Sequence, residues 1–327
     1  MGRITSVLLL LLAVCAQPLF ATSLDLAINS YGVSFGNSSR FTGIRLNLSD
    51  SGVERIDGVN LTLWKPGENP EAEFNGVSLA LVGIAGGSVQ GLSLCGVGIG
   101  GEQVSGISLA GIGIGSTDIS GISVGLIGLG CEDIQGIGIG GIGIGCTNID
   151  GVGIGGIGVG CENARGFFVG GLGVGATSVE GIVIGGLGLG TDTMEGIAIA
   201  GLGIGAEEFT GIGIAGLGMG TNDFRGFMLT GLGFGCKSFT GIGFAGMGAG
   251  FEGMSGAIVA AGHLRGEDMY GFCASAYNRF DRRQDGIAIG ILNIAHHLNG
   301  LQIGLLNYAG NRGSGLKLLP LVNWHFD

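Results

Sequence analysis

Gly211-Ile-Gly-Ile-Ala-Gly-Leu-Gly-Met-Gly-Thr-Asn-Asp-Phe-Arg225 is one copy of a motif that decides how this chain folds. From Gly76 to Asp285 the sequence divides without insertion into 14 such repeats of 15 residues. Their consensus is G-U-x-U-x-G-U-G-U-G-x-x-x-U-x, with U apolar. The pattern extends outward on both sides. Gly43 to Asp57 is a further repeat, and Gly58 to Asn75 is one swollen by the turn Lys65-Pro66-Gly67-Glu68-Asn69-Pro70. Gly286 to Asn299, Gly300 to Ser314 and a partial repeat from Gly315 follow. Self-similarity at a fixed short period is the signature of a stacked repeat architecture.

Spacing and composition select strands. Apolar residues recur two apart, at positions 2 and 4 and again at 7 and 9, with one more at 14. Several glycines per repeat, at about 1 kcal/mol each, would destabilise a helix. Isoleucine and valine at the apolar positions suit strands. The reading is an all-β, parallel β-solenoid with 15-residue coils. An antiparallel up-and-down β-barrel or meander with one strand per repeat is the alternative. Positions 2, 4, 7 and 9 are expected to form the core: Ile212, Ile214, Leu217 and Met219 stacked on Ile197, Ile199, Leu202 and Ile204. Residues 22–75 and 286–327 are read as irregular units that cap the repeats at 76–285 against edge-to-edge association.

Position 8 is glycine in twelve consecutive repeats, Gly83 to Gly248. Elsewhere it is Asp50, His263, Asn278, Asn293 or Asn307, with Lys65 the exception. Gly, Asn, Asp and His share tolerance of positive φ. Gly143, Gly158, Gly173, Gly188, Asn278, Asn293 and Asn307 are therefore read as structural residues at a left-handed bend between positions 7 and 9. Close backbone packing is the competing reading. Position 3, as at Gly153, is expected to tolerate a side chain.

Composition excludes several classes. Glycine fills 76 of 327 positions, but with only 4 prolines and no three-residue period the chain is not collagen. At 46% hydrophobic residues it is not a solvated linker. A formal charge of −11 argues against nucleic acid as a partner. Residues 1–21 read as a secretory signal: Arg3, the apolar run Val7 to Val14, then small residues, with cleavage after Ala16 or Ala21.

Motifs that mimic chemistry dissolve in context. G-x-G-x-x-G recurs, as at Gly136 to Gly141, without the helix a dinucleotide site requires. The histidines (His263, His296, His297, His325) form no Ser/His/Asp or Cys/His spacing. Acidic residues at position 12 (Glu132, Glu162, Asp192, Glu207) do not reproduce the calcium-binding nonapeptide. No catalytic, cofactor or metal residue is assigned, and no cofactor is expected. Cys131, Cys146 and Cys161 share position 11 of consecutive repeats. They read either as stacked small residues on a loop edge or as one disulfide beside an odd thiol.

Gly286-Ile-Ala-Ile-Gly-Ile-Leu-Asn293 and Gly300-Leu-Gln-Ile-Gly-Leu-Leu-Asn307 resemble exported bacterial Gly-rich surface-repeat proteins, whose units read G-[LV]-Q-[IL]-G-[LI]-[LIV]-N. Leu318-Leu-Pro-Leu-Val-Asn-Trp-His-Phe326 and Gly43-Ile-Arg-Leu-Asn-Leu48 are similar to their terminal segments. The resemblance implies export to the cell surface or outer membrane, with periplasm or medium as alternatives, and it implies no activity. The expected function is that of a non-enzymatic structural or interaction protein displaying polar loops at positions 11 to 13. Its partner would be a protein or envelope component, with membrane association as an option. The alternatives are an outer-membrane β-barrel and a calcium- or ligand-binding surface protein.

Overall fold

The computed structural model describes residues 23–29 and 31–326. The signal segment lies outside the described residues. The chain is all-β and forms parallel β-solenoid of about 18 turns of ~15 residues, divided between two compact units, 1–125 and 126–327. Each repeat is one turn. In the second unit, strand Gly203–Ala215 lies parallel to Gly218–Thr230 with Gly203 opposite Gly218 and Ala215 opposite Thr230, a register of one repeat. Thirteen of the 15 residues are strand, and the two left over, positions 6 and 7, make a corner. Even the corner is bonded to the previous turn: Leu217 N–H and Gly218 N–H both donate to the Leu202 carbonyl, at 2.8 and 3.0 Å. The first unit stacks in the same way, for example Gly98–Ala110 on Gly113–Gly125. Parallel pairing overturns the barrel or meander alternative, which requires antiparallel neighbours.

The left-handed residue is at position 1, not position 8. Gly91, Gly106, Gly151, Gly211 and their equivalents hold φ between +98° and +151° from Gly43 to Gly300. A Cβ on Gly211 would lie 1.9 Å from the Gly196 carbonyl oxygen of the turn before. Gly143, Gly158, Gly173 and Gly188 have no positive φ; a Cβ on Gly143 would sit 3.0 Å from the Gly158 carbonyl oxygen. Position 8 is therefore glycine because adjacent backbones approach closely, and the bend reading is corrected.

The asparagines need a different correction. Asn278 lies opposite Leu264, a position-9 residue, because the corner before Tyr277 is one residue shorter than the one before His263. The residue is restored between Phe280 and Arg283, where the register shifts. Asn278, Asn293 and Asn307 thus point into the core and are fully buried. They form a ladder: Asn278 Nδ2 donates to Asn293 Oδ1 at 2.8 Å, and Asn293 Nδ2 to Asn307 Oδ1 at 2.7 Å. Beside it Gln302 Nε2 donates to Gln284 Oε1 at 2.8 Å.

The core is also turned over relative to expectation. Met219 is buried as expected, but Ile212 and Leu217 are 39% and 47% exposed and Ile214 is only half-buried. The inward residues of that turn are Gly213, Ala215, Met219 and Phe224. Positions 3, 5, 9 and 14 face in throughout residues 136–260 of the second unit. Position 14 carries much of the bulk, with Phe209, Phe224 and Phe239 stacked at 5.2 and 5.3 Å between ring centroids. A 15-residue turn encloses so narrow a column that large side chains at 9 and 14 leave room at 3 and 5 mainly for small ones. A Cβ on Gly153 would come within 2.9 Å of the Phe168 ring, so position 3 is not free to vary.

Both ends finish on an antiparallel strand. Leu24–Ile28 pairs antiparallel with Tyr31–Phe35, and Leu318–His325 pairs antiparallel with Leu292–Ala309. Asn323 is buried there and donates to the Asn307 carbonyl at 3.3 Å.

Two mutational contrasts test this arrangement. Gly211→Ala should lower stability by at least about 1–3 kcal/mol from the backbone alone, whereas Gly220→Ala, with normal φ and no neighbour within 4 Å, should be close to neutral by urea midpoint. Phe224→Ala should cost about 3–5 kcal/mol as a buried aromatic truncation, and Leu217→Ala should cost less than about 1 kcal/mol, as surface substitutions do. Equal losses in the second pair would restore the core with position 7 inside.

Candidate interaction surface

The apolar residues missing from the core are on the outside. Because positions 3 and 5 point in, the alternation of the strand forces 2 and 4 out. In the second unit Ile182, Ile199, Ile212, Leu229, Ile242 and Phe244 are exposed members of these two rows. The corner residue at position 7 makes a third row. Its nine members from Ile127 to Met247 are 46–61% exposed, with no polar or charged residue among them. The first unit carries the same rows, shown by Ile107, Leu109, Ile112 and Ile122. Soluble monomers seldom expose contiguous apolar patches above roughly 300–600 Å².

Charge is confined elsewhere on the turn. All thirteen Asp and Glu residues between Gly76 and Gly262 occupy positions 12, 13 or 15, as do the three Lys and Arg residues Arg165, Arg225 and Lys237. Arg165 Nε pairs with Glu180 at 3.0 Å on this exposed side. A groove of about 400 Å³ runs there among Asp133, Asn148, Asn163, Arg165, Ser178 and Glu180. Asn163 Nδ2 donates to Asn148 Oδ1 at 2.8 Å and Asn148 Nδ2 to Asp133 Oδ1 at 2.6 Å, so its amides are engaged with one another. Among the described residues no group of three or more His, Cys, Asp or Glu side chains is placed to hold a metal ion.

Cys131, Cys146 and Cys161 do form the column expected of them, and their sulfurs interact. Hydrogen bonding first with Cys131 and then with Cys161, reinforced by burial, pushes the Cys146 thiol far up. The hydrogen bond from Cys146 holds the Cys161 thiol below its usual value, against a smaller opposing effect of burial. Cys236 is pushed up to about 12, chiefly by burial with a contribution from Asp223. Cys273 is raised by burial alone.

A feature the sequence reading missed is a buried polar column in the first unit. Down position 3 run Arg45, Asn60, Ser78, Ser93, Ser108 and Ser123, all buried, and Ser34 precedes them opposite Arg45. Arg45 Nη1 pairs with Asp50 and donates to Asn60 Oδ1 at 2.9 Å; its Nη2 donates to Asn37 Oδ1 at 2.6 Å. Thr62 Oγ1 donates to Asp50 Oδ2 at 2.6 Å. The Oγ atoms of Ser93, Ser108 and Ser123 are buried without a hydrogen-bond partner. The signal was present: the polar residues recur at 15-residue spacing, at a position outside the apolar pairs.

No family model, curated protein or solved structure matches the chain. The site is therefore defined by its own geometry: three parallel rows of exposed aliphatic side chains, with the carboxylates segregated on other positions of the turn. No side chains are gathered as nucleophile and base.

Thiol reactivity tests the electrostatics, since the thiolate is the nucleophile. In the reduced folded protein near pH 8, Cys161 should alkylate before Cys146. Cys236 and Cys273 should be protected until the chain unfolds. Peptide mass spectrometry against time would detect the order, and uniform labelling would contradict it.

Proposed function

We propose that this chain is an exported, non-catalytic interaction protein that works by having its apolar rows covered by a partner. The observation that carries the reading is the segregation just described. The repeat spends its large aliphatic residues at positions 2, 4 and 7, where they stabilise the turn itself little, and holds them on a stiff, hydrogen-bonded frame. Hydrophobic burial is worth roughly 25 cal/mol per Å², so an exposed face of this kind stabilises an assembly much more than it stabilises the chain alone. This moves the expected binding surface from the loop edge at positions 11 to 13 to the opposite rows. The N-terminal segment 1–21 and the resemblance of both ends to bacterial surface repeats support export to the cell surface or outer membrane.

Two measurements bear on it. Fractionation should recover the chain in the envelope or medium with its first 16 or 21 residues removed; an intact chain in the cytosol would refute export. A photo-crosslinking amino acid replacing Leu187 should give a covalent adduct in the native host, and one replacing Glu207 should not. Absence of any adduct from Leu187 would refute the surface.

A further inference from the structure

We propose that the occupant of this surface is a second copy of the same chain, packed face to face along the second unit; this rests on the interaction surface proposed above. Four features of the molecule lead there.

The first is area. Nine turns at ~4.8 Å give a face about 40 Å long, and three rows of side chains about 17 Å wide, so two copies would bury roughly 1,400 Å² together. That falls inside the ~1,200–2,000 Å² of specific protein interfaces.

The second is commensurate spacing. Every row repeats at the strand separation, so a second copy is the partner whose ridges match at the same interval. The two rows at positions 2 and 4 stand ~7 Å apart, with the inward residue between them, and leave a shallow trough. A ridge of the partner fits that trough, as identical side chains interdigitate in dry paired sheets. A two-fold axis perpendicular to the face makes the contact isologous and closed, with the middle turns near Leu187 and Leu202 close to the axis.

The third is charge. Residues 76–262 carry thirteen carboxylates against three cations, and the paired rows contain none of either. Face-to-face packing leaves the carboxylates at positions 12 and 13 in water.

The fourth feature excludes a lipid surface as occupant. Surfaces that lie on membranes border their apolar face with Lys or Arg and with Trp or Tyr. Between Gly76 and Gly262 there is no Trp or Tyr, and the cations are outnumbered by carboxylates.

The test uses the purified full chain without detergent. Light scattering should give twice the chain mass at micromolar concentration. The variant Leu172→Lys/Leu187→Lys/Leu202→Lys should give a single chain mass with unchanged circular dichroism, because these side chains lie outside the core. The corresponding triple glutamate variant should also be monomeric, and an equimolar mixture of the two should recover the doubled mass. The single variant Leu187→Lys, beside the two-fold axis, serves if the triple variant does not fold and should weaken association at least tenfold. In cells the Leu187 crosslink should run as two copies of this chain. A monomeric wild-type chain, a lysine variant that stays dimeric, or a mixture that stays monomeric would overturn the pairing. A Leu187 adduct with another molecule would overturn the pairing and leave the interaction surface standing, whereas the absence of any adduct would remove both.

Discussion

The glycine at position 1 is the constraint on which the other features of the fold depend. Its φ is positive and its Cα lies so close to the carbonyl of the equivalent glycine one turn earlier that no side chain fits, the gap for Gly151 being 2.1 Å. An L-residue in that conformation is strained, and here it would also displace the backbone. The kink turns the chain without interrupting the strand, so positions 8 to 15 and 1 to 5 remain a single hydrogen-bonded ladder. Losing that bend would straighten the turn and undo the register that stacks every other row.

Row logic then explains the rest. In a parallel, in-register stack each position becomes a column, and a column tolerates only what can sit against itself at the strand spacing. Aromatic rings do so by stacking, as in Phe209, Phe224 and Phe239. Amides do so by donating to one another, as in Asn278, Asn293 and Asn307. Such amide ladders satisfy polar groups that would otherwise be buried at a cost. They tie register to chemistry, because a slip by one residue would leave each amide facing an aliphatic side chain. The buried Arg45 and Asp50 pair does the same near the N-terminal end, where neither charge can leave its partners without an unpaired buried ion.

The narrowness of the turn is what turned the hydrophobic pattern inside out. In an ordinary strand the larger apolar residues face the core and small ones face elsewhere. Here the interior between positions 3, 5, 9 and 14 is filled by two large side chains per turn, and the remaining inward positions are left for Gly, Ala or Ser. Bulk at positions 2 and 4 has nowhere to go but outward. A stiff frame with exposed aliphatic rows and charge held apart from them is a surface built for association, and the fold supplies its rigidity through the same hydrogen bonds that stack the turns.

The sequence by itself determined the period, the strand, the stacking direction and the columns, because a 15-residue repeat without insertion admits little else. It also placed position 14 correctly as an apolar anchor and brought Cys131, Cys146 and Cys161 into one column. What it left open was parity. A period of two marks which residues share a face and is silent on which face is inside when both carry apolar groups; Ile212 and Met219 look alike in the pattern, and only closure of the turn separates them. The same closure moved the left-handed glycine from position 8 to position 1, since a glycine required for φ and one required for close approach are spelled identically. A one-residue shortening before Tyr277, balanced by one residue after Phe280, put Asn278 in the core although it counts as position 8 along the chain. Count is a property of the sequence, whereas register is set by the hydrogen bonds and packing of neighbouring turns, and those exist only once the chain has folded.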